Sequence, residues 1–166
     1  MRDDRAQWLT QGLVAGLVSY AAVAVFFLVI NVIGGRSAFH TAAALGSTLF
    51  YGLQDPANLV IEPGPVLAYN GVHLILSIVA GTIASWLLFE TERHHFLWYF
   101  VFFIFLAGFM YSSVLIGVVG AEISHIVPWW SVLVANVIWL AALISYLWFQ
   151  HRSLISALKT EQESAT

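Results

Sequence analysis

Four stretches of this chain carry no charged side chain, and each is long enough to cross a membrane as a helix. They cover residues 8–33, 66–89, 96–121 and 129–150. A helix needs roughly 20 apolar residues to span a hydrocarbon core about 30 Å thick, and it satisfies its backbone hydrogen bonds internally. The pattern predicts an all-α integral membrane protein, a four-transmembrane-helix bundle that forms one domain over residues 1–166.

The connection between the first two spans contains a further apolar stretch at 37–53, which is at the short limit for a crossing. Helical spacing divides it into a small and polar face and an apolar face. The first face holds Ser37, His40, Thr41, Ala44, Ser47, Thr48 and Tyr51, and the second holds Phe39, Ala42, Leu45, Leu49, Phe50 and Leu53. This pattern is typical of an amphipathic helix that lies in the membrane interface or re-enters it, and a fifth crossing is the alternative.

The placement of basic residues favours four spans over five. With four spans, one side of the membrane holds Arg2, Arg5, Arg93, Arg152 and Lys159, and the other side holds Arg36. With five spans, the best orientation divides these six residues four against two. The positive-inside rule therefore predicts that both termini, including the tail 151–166, are cytoplasmic, as in a bacterial inner-membrane protein.

Composition supports membrane character and narrows the partners. The chain is 60% hydrophobic and 9% charged, whereas an ordinary soluble domain is about a quarter charged. The net charge of −3 and the scattered basic residues argue against nucleic acid as a partner. Cysteine is absent, which excludes disulfides and thiolate metal sites. Membrane lipid is the expected environment.

Small residues recur at four-residue spacing in three of the predicted spans. They are Gly12 and Gly16 in the first, Ser77, Gly81 and Ser85 in the second, and Gly108 and Ser112 in the third. Small side chains let two helices approach closely in lipid, so these positions are predicted helix-packing residues. The partner is a helix of this chain, a second copy or another integral membrane subunit.

Polar residues concentrate in the outer half of the four-span arrangement. Asn31, Asn70, His73 and Asn136 lie within spans, and His40, Glu62, Glu122 and His125 lie in the outer connections. His73 is on the order of 10 Å below the outer boundary, and an imidazole at that depth needs a partner. Three roles are open for His73. It hydrogen-bonds Asn31, Asn136 or a carbonyl and fixes helix packing, or it ligates haem, a chlorophyll-type pigment or a metal. In the third role it belongs to a polar pocket for a quinone or lipid headgroup.

The ligand interpretations name specific side chains. A cofactor would bind His73 and Asn70, together with His40 or His125 from the connections. A metal ion would bind His40, His73 and His125, with Glu122 or Glu62 completing the shell. The first, third and fourth spans contain no interior histidine, and the spacing fits no recognised metal pattern.

No catalytic motif accompanies these residues. The chain has no G-x-S-x-G, no H-E-x-x-H, no phosphate-binding glycine loop and no intramembrane pair of acidic residues. We therefore expect a non-catalytic accessory or scaffold subunit of a larger membrane complex, such as an energy-transducing one, without a cofactor. The alternative is a redox membrane protein that binds haem, pigment, metal or quinone at the outer face, and the third candidate is a small channel or transporter.

Overall fold

The structure is a computed structural model that describes residues 2–53, 55–93 and 127–164. These residues form four α-helices and a short 3₁₀ turn at Pro56–Asn58. The α-helices are α1 (Arg2–Ile33), α2 (His40–Tyr51), α3 (Pro63–Arg93) and α4 (Trp129–Ser164). The predicted third span, 96–121, lies outside the described residues, and so do its packing positions Gly108 and Ser112.

Three of the helices contain stretches that are long and apolar enough to cross a membrane. These stretches are Gln7–Ile33 in α1, Pro63–Glu90 in α3 and Trp129–Gln150 in α4. The expectation of an all-helical chain with membrane-length apolar helices is therefore confirmed at three of the four predicted spans. The fourth helix continues without a break through the polar residues that follow the apolar stretch, as far as Ser164.

The first helix is central, because α3 and α4 both pack against it. Both run antiparallel to α1. Along α3, Gly12 lies beside Thr82 and Tyr20 beside His73. Along α4, Ala15 shares a buried cluster with Leu143 and Leu147, whereas Phe27 and Val132 pack against a second cluster. The N-terminus of α1 therefore lies with the C-terminal parts of α3 and α4, which we call the near end. The far end comprises α2, the C-terminus of α1 and the beginnings of α3 and α4.

Glycine permits the close approach of α1 and α3. A Cβ added at Gly16 would lie 2.5 Å from the Ser77 carbonyl oxygen, and one added at Gly81 would lie 2.5 Å from the Gly12 carbonyl oxygen. Any side chain at these positions would overlap the neighbouring backbone. Ser77 and Ser85 of α3 are buried as well, with 2% and 0% of their surfaces exposed.

The α2 helix is shorter than the predicted 37–53 segment and packs mainly on the beginning of α3. Its 12 residues extend about 18 Å, which is less than a hydrocarbon core. The residues that face the protein are small or hydroxylated: Thr41, Ala43, Ala44, Gly46 and Ser47. Gly46 lies against the Pro65 carbonyl so closely that a Cβ would overlap it. The exposed side carries Leu49 and Phe50.

Asn31 connects the end of α1 to the beginning of α2. Gly35 has a left-handed φ of 69°, and the following Arg36 N–H donates to the Asn31 carbonyl at 2.9 Å, which closes the helix end. The buried Asn31 side chain donates from Nδ2 to the Ala38 carbonyl at 3.1 Å and accepts from the Thr41 hydroxyl at 2.9 Å. These bonds fix the direction in which the chain leaves α1.

Candidate polar sites toward the far end of the bundle

His73 lies between two tyrosines in the far-end half of α3. Its ring centroid is 5.5 Å from that of Tyr20, in an edge-on arrangement, and 5.8 Å from that of Tyr69. The imidazole is half-buried and makes no hydrogen bond with another described residue. Its position is therefore set by ring packing between α1 and α3.

Asn70 lies one turn before His73 and joins the same two helices. The Tyr20 hydroxyl donates to Asn70 Oδ1 at 3.0 Å, and Asn70 Nδ2 donates to the Val66 carbonyl at 2.8 Å. Both ends of the amide are thus engaged within the protein. Asn31, a predicted partner of His73, is committed to Ala38 and Thr41 instead.

A second interhelical hydrogen bond lies one turn beyond His73. The Trp139 indole N–H of α4 donates to the Ser77 hydroxyl of α3 at 3.2 Å. Ser77 is buried where α1 and α3 approach each other, so this bond brings α4 to the same contact. Aromatic and polar side chains therefore join α1, α3 and α4 over two turns around His73.

His40 begins α2 and is partly buried. Burial, and secondarily the nearby Arg36 guanidinium, lower the pKa of His40 below its ordinary value. No hydrogen bond or ring contact joins the described side chains of His40 and His73. The proposed ligands His125 and Glu122 lie outside the described residues, and within the described ones no three His, Asp or Glu side chains come together.

A cavity of about 500 Å³ opens at the far end, where α2 ends and α3 begins. Its polar lining includes Ser47, Tyr51, Asp55 and Glu62. Sequence reasoning missed this cavity, although the run of turn-forming and acidic residues from 54 to 65 marks a connection that folds back on itself.

The connection is held in shape by Asp55. One carboxylate oxygen accepts from the Ala57 N–H at 2.9 Å, and the other accepts from Asn58 Nδ2 at 3.2 Å. This Asx turn starts the 3₁₀ turn and fixes Asp55 at the edge of the cavity.

These geometries describe two polar arrangements: an aromatic and amide cluster inside the bundle around His73, and an acidic cavity at its far end. The cluster ties helices together, whereas the cavity has room for a ligand. Comparisons of the chain with protein-family models, with curated proteins and with solved structures found no match.

Proposed function

We propose that this protein is a four-span membrane subunit without chemistry of its own, which packs as an accessory or scaffold component against other integral membrane proteins. The observation that carries the proposal is an exposed stripe along α4. It consists of Leu133, Val137, Ala141, Ile144, Ser145 and Trp148, all exposed and all on one helical face.

The middle of this stripe is suited to helix docking. Ala141 and Ser145 are four residues apart, and both are exposed between larger apolar neighbours. Within lipid, helices associate through close packing around small residues, since burial of apolar surface alone gains little there. The opposite side of α4, with Leu143 and Leu147, is already packed on α1. The stripe therefore supports a further helix as its partner.

Three hydrogen bonds within the described spans support the same proposal. The bonds from Tyr20 to Asn70 and from Trp139 to Ser77 hold the described helices to one another. The hydroxyl of Ser19 bonds the carbonyl of Ala15, in its own helix. These groups serve packing, which is the work of a structural subunit.

Site-specific photo-crosslinking tests the scaffold proposal. A photoreactive residue at Ile144 should yield a discrete adduct with another membrane protein or a second copy. The same residue at Leu143, which is fully buried against α1, is the matched control and should yield none. Ala141→Leu should remove the Ile144 adduct, while Ala21→Leu on an exposed face of α1 should not. Lipid adducts alone at Ile144, from a chain that migrates as a monomer, would refute the proposal.

The topology that we propose places the near end in the cytoplasm. The helix positions of Arg2, Arg93 and Arg152 lie toward the near end, and Arg36 lies at the far end, as the positive-inside rule requires for this orientation. The described end of α3 lies at the near end and the beginning of α4 lies at the far end. These two positions support the predicted crossing at 96–121.

Cysteine labelling tests the topology without interference, because the chain has no native cysteine. Ser37→Cys at the far end should react with a membrane-impermeant maleimide in intact cells. Ser164→Cys at the end of α4 should react only after permeabilisation. Labelling of both in intact cells would contradict the arrangement.

We also propose that α2 lies in the outer interface, with Leu49 and Phe50 toward lipid.

A second candidate function rests on the environment of His73. This imidazole has ring neighbours but no hydrogen-bond partner among the described residues, so a haem, pigment, metal or quinone could supply the missing bond. An oxidised-minus-reduced absorption spectrum of the protein at native abundance tests this candidate. A Soret or pigment band that His73→Ala abolishes and His40→Ala preserves would support it for haem or pigment. A protein that shows neither band would leave haem and pigment without support as ligands of His73.

A further inference from the structure

The acidic cavity at the far end has the features of a binding site for a positively charged ligand. Its polar lining includes Asp55 and Glu62, and none of the described residues that line it is a Lys, Arg or His. Neither carboxylate forms an ion pair with another described residue. A volume of about 500 Å³ falls within the usual range for small-ligand pockets.

Ser47 supplies an observation that is independent of the carboxylates. It lines the cavity, only 8% of its surface is exposed, and its hydroxyl makes no hydrogen bond with another described residue. The hydroxyl oxygen is not itself fully buried, so it stays accessible for a hydrogen bond with a group in the cavity. A ligand that occupies the cavity would provide the partner.

The lining defines the chemistry of the ligand. The carboxylates and the Ser47 hydroxyl can accept hydrogen bonds, and the exposed Tyr51 adds an aromatic side chain to the lining. Asp55 keeps a fixed orientation through its bonds to Ala57 and Asn58, so part of the site is preorganised. A primary ammonium group matches this set, because it brings a positive charge together with three N–H donors.

The position of the cavity indicates the source of the ammonium group. Glu62 immediately precedes the apolar stretch Pro63–Glu90, so the cavity lies where the membrane-length part of α3 begins. The exposed Leu49 and Phe50 of α2 come directly before Tyr51 in the same helix and offer an apolar surface to acyl chains. We propose that this cavity binds the primary ammonium group of a phospholipid headgroup, held by Glu62, Asp55 and Ser47.

Native mass spectrometry of the full-length chain in detergent tests this proposal. The probes are dioleoyl phosphatidylethanolamine, phosphatidylcholine and phosphatidylglycerol, which share acyl chains and differ in the headgroup. The ethanolamine lipid should be retained about tenfold better than the other two, because only it carries a primary ammonium. Equal retention of all three lipids would overturn the proposal.

Matched variants locate the binding. Glu62→Gln and Asp55→Asn keep side-chain shape and should each reduce retention of the ethanolamine lipid about tenfold, while Glu90→Gln at the near end of α3 should leave it unchanged. Unchanged retention in both Glu62→Gln and Asp55→Asn would overturn the assignment. Ser47→Ala gives a second check if an acidic-site variant loses its wild-type melting temperature, and undiminished retention in it would count against the site.

Competition by free ethanolamine distinguishes the two sources of the ammonium group. If free ethanolamine displaces the lipid only at millimolar concentration, and the protein retains no ethanolamine when no lipid is present, the phospholipid is the ligand. Tight retention of free ethanolamine, lost in Glu62→Gln, would show that the same site takes a soluble amine and would overturn the assignment to lipid.

Discussion

The contact between α1 and α3 makes a sharp prediction for the single change Gly16→Ala. The new Cβ would lie 2.5 Å from the Ser77 carbonyl oxygen and 2.6 Å from the Ile78 Cα. Carbon atoms in contact are ordinarily about 3.5–4.0 Å apart, so α1 and α3 would have to separate by roughly 1 Å. Overpacking of this kind costs about 1–3 kcal/mol, and a gap of that size weakens the dispersion contacts that remain.

The assay is equilibrium unfolding in mixed micelles, followed by far-ultraviolet circular dichroism. Gly71→Ala is the matched control, because it makes the same change in α3 at a position with no described neighbour within 4 Å of the added Cβ. The control should equal or exceed wild-type stability, since alanine favours helix over glycine by up to about 1 kcal/mol. A Gly16→Ala protein as stable as Gly71→Ala would refute the close contact.

A double variant tests whether substitutions at Gly16 and Gly81 separate α1 and α3 at the same contact. A Cβ at Gly81 would lie 2.6 Å from the Gly16 backbone nitrogen, so both substitutions force apart the same crossing. Gly16→Ala with Gly81→Ala should therefore destabilise by less than the sum of the single changes. Full additivity would place the two glycines at independent contacts.

Three further predictions concern the polar groups. Burial and Arg36 lower the pKa of His40, so the unfolded chain binds the proton at a higher pH than the folded protein. The melting temperature should therefore be highest above about pH 6.5 and should fall as the pH drops below this value. The fall should be smaller in His40→Gln. Asn31→Ala removes one buried and one partly buried hydrogen bond and should cost about 1–3 kcal/mol of unfolding free energy in the micelle assay. Trp139→Phe removes the donor to Ser77 and should cost about 0.6 kcal/mol, close to the average for hydrogen bonds within membranes.

Each of these has its own control. For His40, the melting temperatures of the wild type and of His40→Gln are compared at pH 7.5 and pH 5.5. An equal fall in both proteins would show that another group is responsible. Ser37→Ala, at an exposed residue of the same connection, should be neutral where Asn31→Ala is not. Ser77→Ala combined with Trp139→Phe should cost no more than the larger single change, whereas additive costs would exclude the bond between them.

The positions of three spans were predictable because the length of a charge-free stretch is a property of the sequence alone. The pairing of helices was not, since it depends on which faces meet in three dimensions. The spacing of Gly12 and Gly16 indicates a packing face, but only the antiparallel arrangement of α1 and α3 brings Gly12 to Thr82. For α2, periodicity separates two faces without showing that the small and polar one faces the protein.

The same distinction explains the candidate sites. The depth of His73 in the membrane predicted that its imidazole needs a partner, but did not predict which one. Its ring neighbour Tyr20 lies 53 positions earlier in the sequence, and the two rings meet only because α1 and α3 cross there. The expected partner Asn31 bonds locally instead, because α2 begins directly beside it. The acidic cavity depends on how residues 52–62 turn back, which hydropathy does not record. Binding of haem, pigment, metal or quinone at His73 stays a prediction.

The central position of α1 has a consequence for synthesis. Among the described helices α1 is synthesised before α3 and α4, and it forms contacts with both of them. The pair of α1 and α3 can associate as soon as residue 93 has been inserted. The flank of α1 that contacts α4 stays without this partner, within the bilayer, until α4 has been synthesised. Any factor that shields this flank must leave before α4 docks.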